Sequence, residues 1–203
     1  KGALGGIGGT RNCDWWFTNE AVLIDTAGRY TTQDSHKVVD NSAWQAFLTL
    51  LKKYRPRRPV NGALIAISVQ DLMTQQPAQR SHSAKQIRER IDELQKAFGI
   101  QVPIYVLLTK CDLLAGFVEF FDNLGRDERA QVWGMTFPLA TEGPAGAALA
   151  SFTERFEALE RQLQARVLER MQQERDIQRR ALLYRFPQQF AAIGEVLGGF
   201  LNV

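Results

Sequence analysis

Two short polar segments, each placed directly after an apolar run, carry residue types that bind nucleotides. In the first, the apolar run 21–24 ends at Asp25, and the turn Thr-Ala-Gly-Arg follows at 26–29. A carboxylate at the end of a strand can hold Mg²⁺ through water, and the Gly28 amide has no side chain to block its approach to a γ-phosphate. A tight turn after a strand would explain the same residues, so this segment alone leaves both interpretations open.

The second segment is Leu-Leu-Thr-Lys-Cys-Asp at 107–112, again after an apolar run. The carboxylate of Asp112 can accept hydrogen bonds from the N1–H and the exocyclic amine of guanine, a donor pair that adenine lacks. The aliphatic stem of Lys110 can lie along the base. TKxD by itself is a weak signal. DxxG followed by TKxD, each at the end of a predicted strand, indicates a guanine-nucleotide site.

The amino-terminal segment offers a third signal and a notable absence. Five glycines fall within the first nine residues, and Thr10 precedes Asp25 by 15 residues, where a switch-type hydroxyl could reach Mg²⁺. A flexible chain end is the alternative. No GxxxxGK[ST] occurs in the chain, so the sequence has no cradle for the α- and β-phosphates and no phosphate-binding lysine. Because the chain opens on KGALGG without Met, we expect it to be a fragment whose phosphate loop lies upstream.

The elements needed to position these segments alternate along the chain. Aromatic and aliphatic runs on either side of 18–20 predict an antiparallel hairpin, and apolar residues at i, i+3, i+4 and i+7 predict helices. We expect helices at 41–54 and 78–98 and strands at 60–69 and 102–112, and 132–140 could form a further strand. This order predicts an α/β domain over 1–140, with a doubly wound, mostly parallel sheet of the P-loop NTPase type but without its loop.

A helical extension is predicted over 141–203, after the linker 141–146. Long charged helices are expected over 147–185, with a break at Phe186-Pro187 and a short apolar helix beyond it. That last helix could bind a partner or pack on its own domain. A narrow apolar seam fit for packing on another element is formed by Leu149, Phe152, Phe156, Leu159 and Leu163.

The composition excludes several classes of function. Hydrophobic residues make up 45% of the chain and charged residues 23%, as in ordinary soluble domains. The net charge of +3 is small, and the one dense basic run, at 52–59, is expected to be a solvated helix end and connector, so we expect no nucleic-acid partner. Two distant cysteines and two histidines predict neither a disulfide framework nor a zinc site, and they suit a reducing compartment. No apolar run approaches the length of a membrane span.

Three stretches together resemble the cytoplasmic domain of the TssM (IcmF) family, the inner-membrane component of the bacterial type VI secretion system. They are GGTRNCDWWFTNEAVLIDTAGRYTTQDS at 8–35, W..FL.LLKK.RPRRPVNGALIAIS..DL at 44–72, and YVLLTKCDLLAGF at 105–117. The resemblance covers roughly residues 5 to 140, and the Trp-Trp hairpin joined to DTAGRY makes it specific. The charged carboxyl-terminal part is less similar.

The resemblance implies a large protein with transmembrane helices, a periplasmic portion and a cytoplasmic NTPase-like domain at the inner membrane. Its implied partners are TssL, the lipoprotein TssJ through the periplasmic part, and the baseplate on the cytoplasmic side. It also implies Mg²⁺ with GTP or ATP as cofactors, provided that the upstream loop is present. Thr10 and Asp25 would hold the metal, and the nucleotide-binding residues would be Thr10, Asp25, Thr26, Gly28, Thr109, Lys110 and Asp112.

Two departures from ordinary GTPases bear on catalysis. Arg29 stands where Ras-like proteins place a glutamine that orients the attacking water, and a guanidinium cannot accept a hydrogen bond from that water. With Asp25 and Arg29 as the catalytic candidates, we expect slow hydrolysis in the longer protein and none in this fragment. Arg29 could stabilise transition-state charge or form a salt bridge within the switch.

Thr109 replaces the asparagine of NKxD, as in signal-recognition-particle GTPases, which also carry a DTAGR motif. Three functions therefore remain open: a nucleotide-dependent switch or assembly platform, an inactive NTPase-fold scaffold for protein docking, and an SRP-like GTPase.

Overall fold

A computed structural model describes residues 13–26, 37–137 and 147–203. These residues fall into two compact units, one within 1–63 and 81–105 and the other comprising 64–80 and 106–203. The strands are β1 (Asp14–Phe17), β2 (Val22–Asp25), β3 (Ala63–Ser68) and β4 (Ile104–Thr109). The helices are α1 (Lys37–Tyr54), α2 (Val69–Thr74), α3 (Pro77–Phe98), α4 (Phe117–Phe121), α5 (Arg126–Arg129), α6 (Phe152–Gln173) and α7 (Ile177–Leu201), with 3₁₀ turns at Cys111–Leu113 and Ala147–Ser151.

The first unit contains the predicted hairpin. β1 and β2 pair antiparallel with Asp14 opposite Asp25, which confirms the prediction. Thr18 closes the turn, because its backbone N–H donates to the Ala21 carbonyl at 2.9 Å and its hydroxyl accepts from the Ala21 N–H at 2.9 Å. The short side chain of threonine makes this local bond without breaking the pairing.

Helices α1 and α3 supply the core of the first unit. The predicted helix at 41–54 begins four residues earlier, at Lys37, and buries the cluster Trp44, Leu48, Leu51 and Phe98. α3 ends where predicted, because Gly99 takes the left-handed conformation (φ +68°) and its N–H donates to the Gln95 carbonyl at 2.8 Å. Glycine adopts this conformation without steric cost, which makes it a common helix terminator.

Strands β3 and β4 form a parallel pair. Near their starts the Ala63 N–H donates to the Pro103 carbonyl at 2.9 Å, and at their ends the Thr109 hydroxyl donates to the Ile67 carbonyl at 3.4 Å. Among the described residues, β1–β2 and β3–β4 are separate two-stranded sheets. The larger doubly wound sheet stays a prediction. The further strand predicted at 132–140 is wrong over 132–137, which form no strand, and its last three residues lie outside the described part.

The core of the second unit is mainly aromatic. Phe156 and Phe190 stack with ring centroids 4.6 Å apart and an interplanar angle of 6°, while Phe186 is completely buried. The part of the predicted seam that lies on α6 is confirmed, since Phe152, Phe156 and Leu163 are buried in this core and Leu159 packs against it. Leu149 lies before α6, in the 3₁₀ turn. Aromatic pairs at such distances add to the free energy gained from burial alone.

The predicted helix break at Phe186-Pro187 is wrong. α7 runs without interruption through Pro187, and the chain instead breaks between α6 and α7 at 174–176. There the Asp176 carboxylate caps α7 by accepting from the N–H groups of Gln178 at 2.7 Å and Arg179 at 3.1 Å. Pro187 costs a helix about 3 kcal/mol, but its turn is buried in the aromatic core, which offsets that cost.

None of the described helices has the length and apolar character to cross a bilayer. The predicted division of the chain at 140/141 stays a prediction, because residues 138–146 lie outside the described part.

Candidate functional site

The loop after β4 carries the TKxD residues and has an unusual backbone. Thr109 is the last residue of β4, and Lys110 follows with φ 58° and ψ 32°, in the left-handed region. It is the one non-glycine residue with a positive φ in the described part of the chain. The Lys110 carbonyl then accepts from the Leu113 N–H at 3.1 Å, which starts the 3₁₀ turn. Non-glycine residues held in this region are sterically strained, and they cluster at functional sites.

Within the 3₁₀ turn, neighbouring side chains point to different environments. The Cys111 thiol is half-buried and donates to the Leu108 carbonyl at 3.4 Å, whereas Asp112 is exposed. Burial and, to a smaller extent, the negative charge of Asp112 raise the pKa of the Cys111 thiol. Cys111 therefore stays protonated and anchors the turn, and the Asp112 carboxylate is presented as an acceptor for N–H donors.

The first predicted segment lies in the other unit. Asp25 ends β2, is exposed, and faces Asp14 across the hairpin, while Thr26 is partly buried. Within the described ranges no group of three or more acidic, histidine or cysteine residues is arranged to hold a metal ion. Thr10, Gly28 and Arg29 lie outside the described residues. The Mg²⁺ site at Thr10 and Asp25 stays a prediction.

Sequence reasoning missed a buried arginine that joins two elements of the second unit. Arg170 on α6 donates from Nε to the Phe120 carbonyl at 3.0 Å, and from Nη2 to the Glu119 carbonyl at 2.7 Å and to Asp122 Oδ1 at 2.8 Å. These carbonyls belong to α4, whose last turn has no intrahelical donors for them. Arg170 of α6 thus caps the carboxyl-terminal end of α4.

The same network continues through Asp122 to the turn between α6 and α7. The second carboxylate oxygen of Asp122 accepts from Arg179, whose Nε donates to Glu174 Oε2 at 2.8 Å. Glu174 Oε1 also accepts from the Asp176 N–H at 3.0 Å, and these bonds, led by the Asp176 N–H, lower the pKa of the Glu174 carboxyl to about 2. In the sequence, the only sign of this hydrogen-bond network is a charge-dense run at 172–180, and that run does not show which side chains pair with each other.

Comparison with known proteins gives the class of the chain. Residues 37–203 match the IcmF-related N-terminal domain family, so the chain belongs to that family. This confirms the family membership expected from the Trp-Trp hairpin, DTAGRY and TKCD.

A particular relative is the type VI secretion system component TssM1 of Pseudomonas aeruginosa PAO1. It is 61% identical over 201 residues, which cover 99% of this chain but 18% of that protein. No solved structure matches the chain.

Proposed function

We propose that this chain is an assembly domain of a type VI secretion membrane complex, at the cytoplasmic face of the inner membrane, and that nucleotide binding switches it. The observation that carries the nucleotide part is the loop at 109–112, where a strained Lys110 backbone precedes an exposed Asp112. Strain of this kind persists only where the surrounding structure fixes it. Here the strained residue comes two positions before Asp112, whose exposed carboxylate can accept hydrogen bonds just after the end of β4. The partners would be TssL and the baseplate, with TssJ engaged by the periplasmic part of the longer protein.

The residues present suit part of a nucleotide site. The Asp112 carboxylate can accept the two N–H groups of guanine, and Asp25 is an exposed carboxylate suited to Mg²⁺ ligation through water. The α- and β-phosphates would require the loop expected upstream in the longer protein. GTP is thus the proposed ligand, with ATP as the alternative.

The test is a titration of fluorescent GTP and ATP, with Mg²⁺, against the longer protein and its Asp112→Asn variant. We expect the wild type to prefer GTP. The variant should lose that preference and gain affinity for xanthosine triphosphate, because the asparagine amide can donate to the C2 carbonyl of xanthine.

Asp127→Asn is the matched control, since Asp127 is also an exposed aspartate in a short helical segment, and the change should leave the preference unchanged. If the longer protein binds neither nucleotide, the nucleotide switch is ruled out. If Asp112→Asn retains the GTP preference, the assignment of Asp112 as the guanine-binding residue is ruled out.

A nucleotide-independent docking scaffold is the second candidate, and the β1–β2 hairpin favours it. Trp16 and Phe17 are 60% and 76% exposed, and in the described residues each hairpin strand pairs only with the other. Exposed aromatic side chains beside open strand edges are typical of protein-binding surfaces. The SRP-like alternative is set aside, because the chain belongs to the IcmF-related family.

The two candidates predict different binding to the cytoplasmic domain of TssL. A scaffold should bind it equally with and without nucleotide and should lose affinity in a Trp16→Ser, Phe17→Ser variant. A switch should show a nucleotide-dependent affinity in the longer protein. Isothermal titration of the longer protein, with and without GTP, separates the two.

A further inference from the structure

The end of α1 and the connector after it carry cations without any nearby acid in the sequence. Residues 41–70 contain five lysines and arginines and no aspartate or glutamate. Lys52 is engaged within the unit, because its Nζ donates to the Ala97 carbonyl at 2.6 Å. The other four cations are all exposed, and we call them the basic edge: Lys53, Arg55, Arg57 and Arg58.

No ion pair joins the basic edge to a carboxylate among the residues that the structure describes. Some arginines elsewhere are paired with carboxylates, as Arg88 is with Asp92 and Arg179 with Glu174. The segment is also constrained, since the Arg55 N–H donates to the Leu51 carbonyl at 2.8 Å and prolines occupy 56 and 59. The positive charge of the basic edge is therefore concentrated on a short, constrained segment, and no carboxylate of the described residues neutralises it.

Two exposed apolar side chains lie next to these cations. Leu50 and Tyr54 are 53% and 73% exposed, and their spacing of four residues puts them on the same side of α1. The Lys53 Nζ lies 5.6 Å from the centroid of the Tyr54 ring, so a cation already occupies a face of that ring. Tyrosine and leucine flanked by lysine and arginine are suited to the boundary between lipid headgroups and acyl chains.

We propose that the basic edge, together with Leu50 and Tyr54, binds an anionic lipid surface. The four cations would contact headgroup phosphates, and the two apolar side chains would enter the interfacial layer. A nucleic acid would use the Tyr54 ring for stacking, but the Lys53 cation already lies over that ring, and Leu50 would have no part in it. An acidic peptide would satisfy the cations without using the exposed apolar pair.

The test is sedimentation of this chain with two kinds of vesicle, one of phosphatidylcholine alone and one an equal mixture of phosphatidylcholine and phosphatidylglycerol. We expect binding only to the anionic vesicles, at millimolar lipid, and weaker binding as salt is added. Arg57→Ala combined with Arg58→Ala should weaken binding about thirtyfold, because each cation near an anionic surface contributes about a fivefold factor.

A matched pair of exposed arginines provides the control. Arg166→Ala combined with Arg185→Ala removes the same charge from α6 and α7 and should leave vesicle binding unchanged. Leu50→Ser combined with Tyr54→Ser keeps every cation and should still weaken binding, which a purely electrostatic attraction would not show. All of these side chains are exposed, so circular dichroism should show the fold retained in each variant.

Three results would overturn the proposal. One is equal binding to both vesicles. Another is an equal loss in the two arginine pairs, which would mean that net charge alone is responsible. The third is no vesicle binding together with retention on polyglutamate or on a DNA duplex, which would assign the basic edge to a different polyanion.

Discussion

Particular aromatic and basic residues lie in contrasting environments in the two compact units. In the second unit the phenylalanines form the core, and the arginines at 170 and 179 are bonded to carbonyls and carboxylates. In the first unit the hairpin aromatics and the basic edge are exposed. This contrast indicates that the second unit supplies most of the folding stability, while the first presents most of the surface suited to recognition.

The largest expected effect is at the centre of the aromatic core. Phe186 is fully buried and its ring lies 5.1 Å from that of Phe120. Phe186→Ala should lower the free energy of unfolding by about 3–5 kcal/mol, because a cavity remains where the ring was. Urea denaturation followed by circular dichroism measures this. Tyr184→Ala, at an exposed position of the same helix, should cost far less, and a similar loss in both would contradict the proposed core.

A change in the smaller core tests whether the units unfold separately. Leu48 is buried between α1 and α3, and Leu48→Ala should cost about 3 kcal/mol. Hydrogen exchange should accelerate in the first unit and stay slow in α6 and α7, since their core does not contain Leu48. Leu50→Ala is the exposed control. A uniform acceleration across both units would show that they unfold as one.

Two glycines of α7 should respond in opposite directions. A Cβ at Gly194 would lie 2.6 Å from the Phe156 ring, which is stacked on Phe190, so Gly194→Ala should destabilise by about 1–3 kcal/mol. A Cβ at Gly199 would meet nothing within 4 Å, so Gly199→Ala should stabilise by up to about 1 kcal/mol. Thermal denaturation of the pair measures both signs. Stabilisation by Gly194→Ala would mean that α6 and α7 are packed less closely than described.

The smallest effect concerns pH. The pKa of the Glu174 carboxyl is lowered from 4.5 to about 2. The interactions of the ionised carboxyl therefore stabilise the folded protein above pH 4.5, and this stabilisation is lost as the pH falls toward 2. Glu174→Gln should flatten this part of the melting-temperature profile. Unfolding curves recorded between pH 2 and 5 test it. A profile unchanged by Glu174→Gln would remove Glu174 from the network.

The elements with strong local signals were predictable from the sequence. Periodic apolar residues indicated α1 and α3, and the aromatic and aliphatic runs on either side of 18–20 indicated the hairpin. Pro187 misled, because the rule that proline ends a helix considers only the local backbone, and the buried environment of this turn outweighs it. Rules based on local sequence thus predicted which segments form helices and the hairpin, but they placed the break between the two carboxyl-terminal helices at the wrong residue.

The candidate site was predictable only in part. The sequence placed Asp25 and the Thr109–Asp112 segment at strand ends, where the structure has them. It gave no sign of the left-handed Lys110 backbone, since lysine has no intrinsic preference for that region. Nor could it pair Arg170 with Asp122, because that choice depends on how α4 and α6 pack.

The Arg170 network has a consequence for the speed of folding and unfolding. The Arg170 guanidinium donates to carbonyls that lie 50 and 51 residues away in the chain. The two ends of this long loop must therefore come together before these hydrogen bonds can form. Contacts of such long range that form after the transition state slow unfolding more than they speed folding. We therefore expect Arg170→Met to accelerate unfolding in stopped-flow experiments while the refolding rate changes little. Arg170 would in that case determine mainly how long the folded second unit lasts.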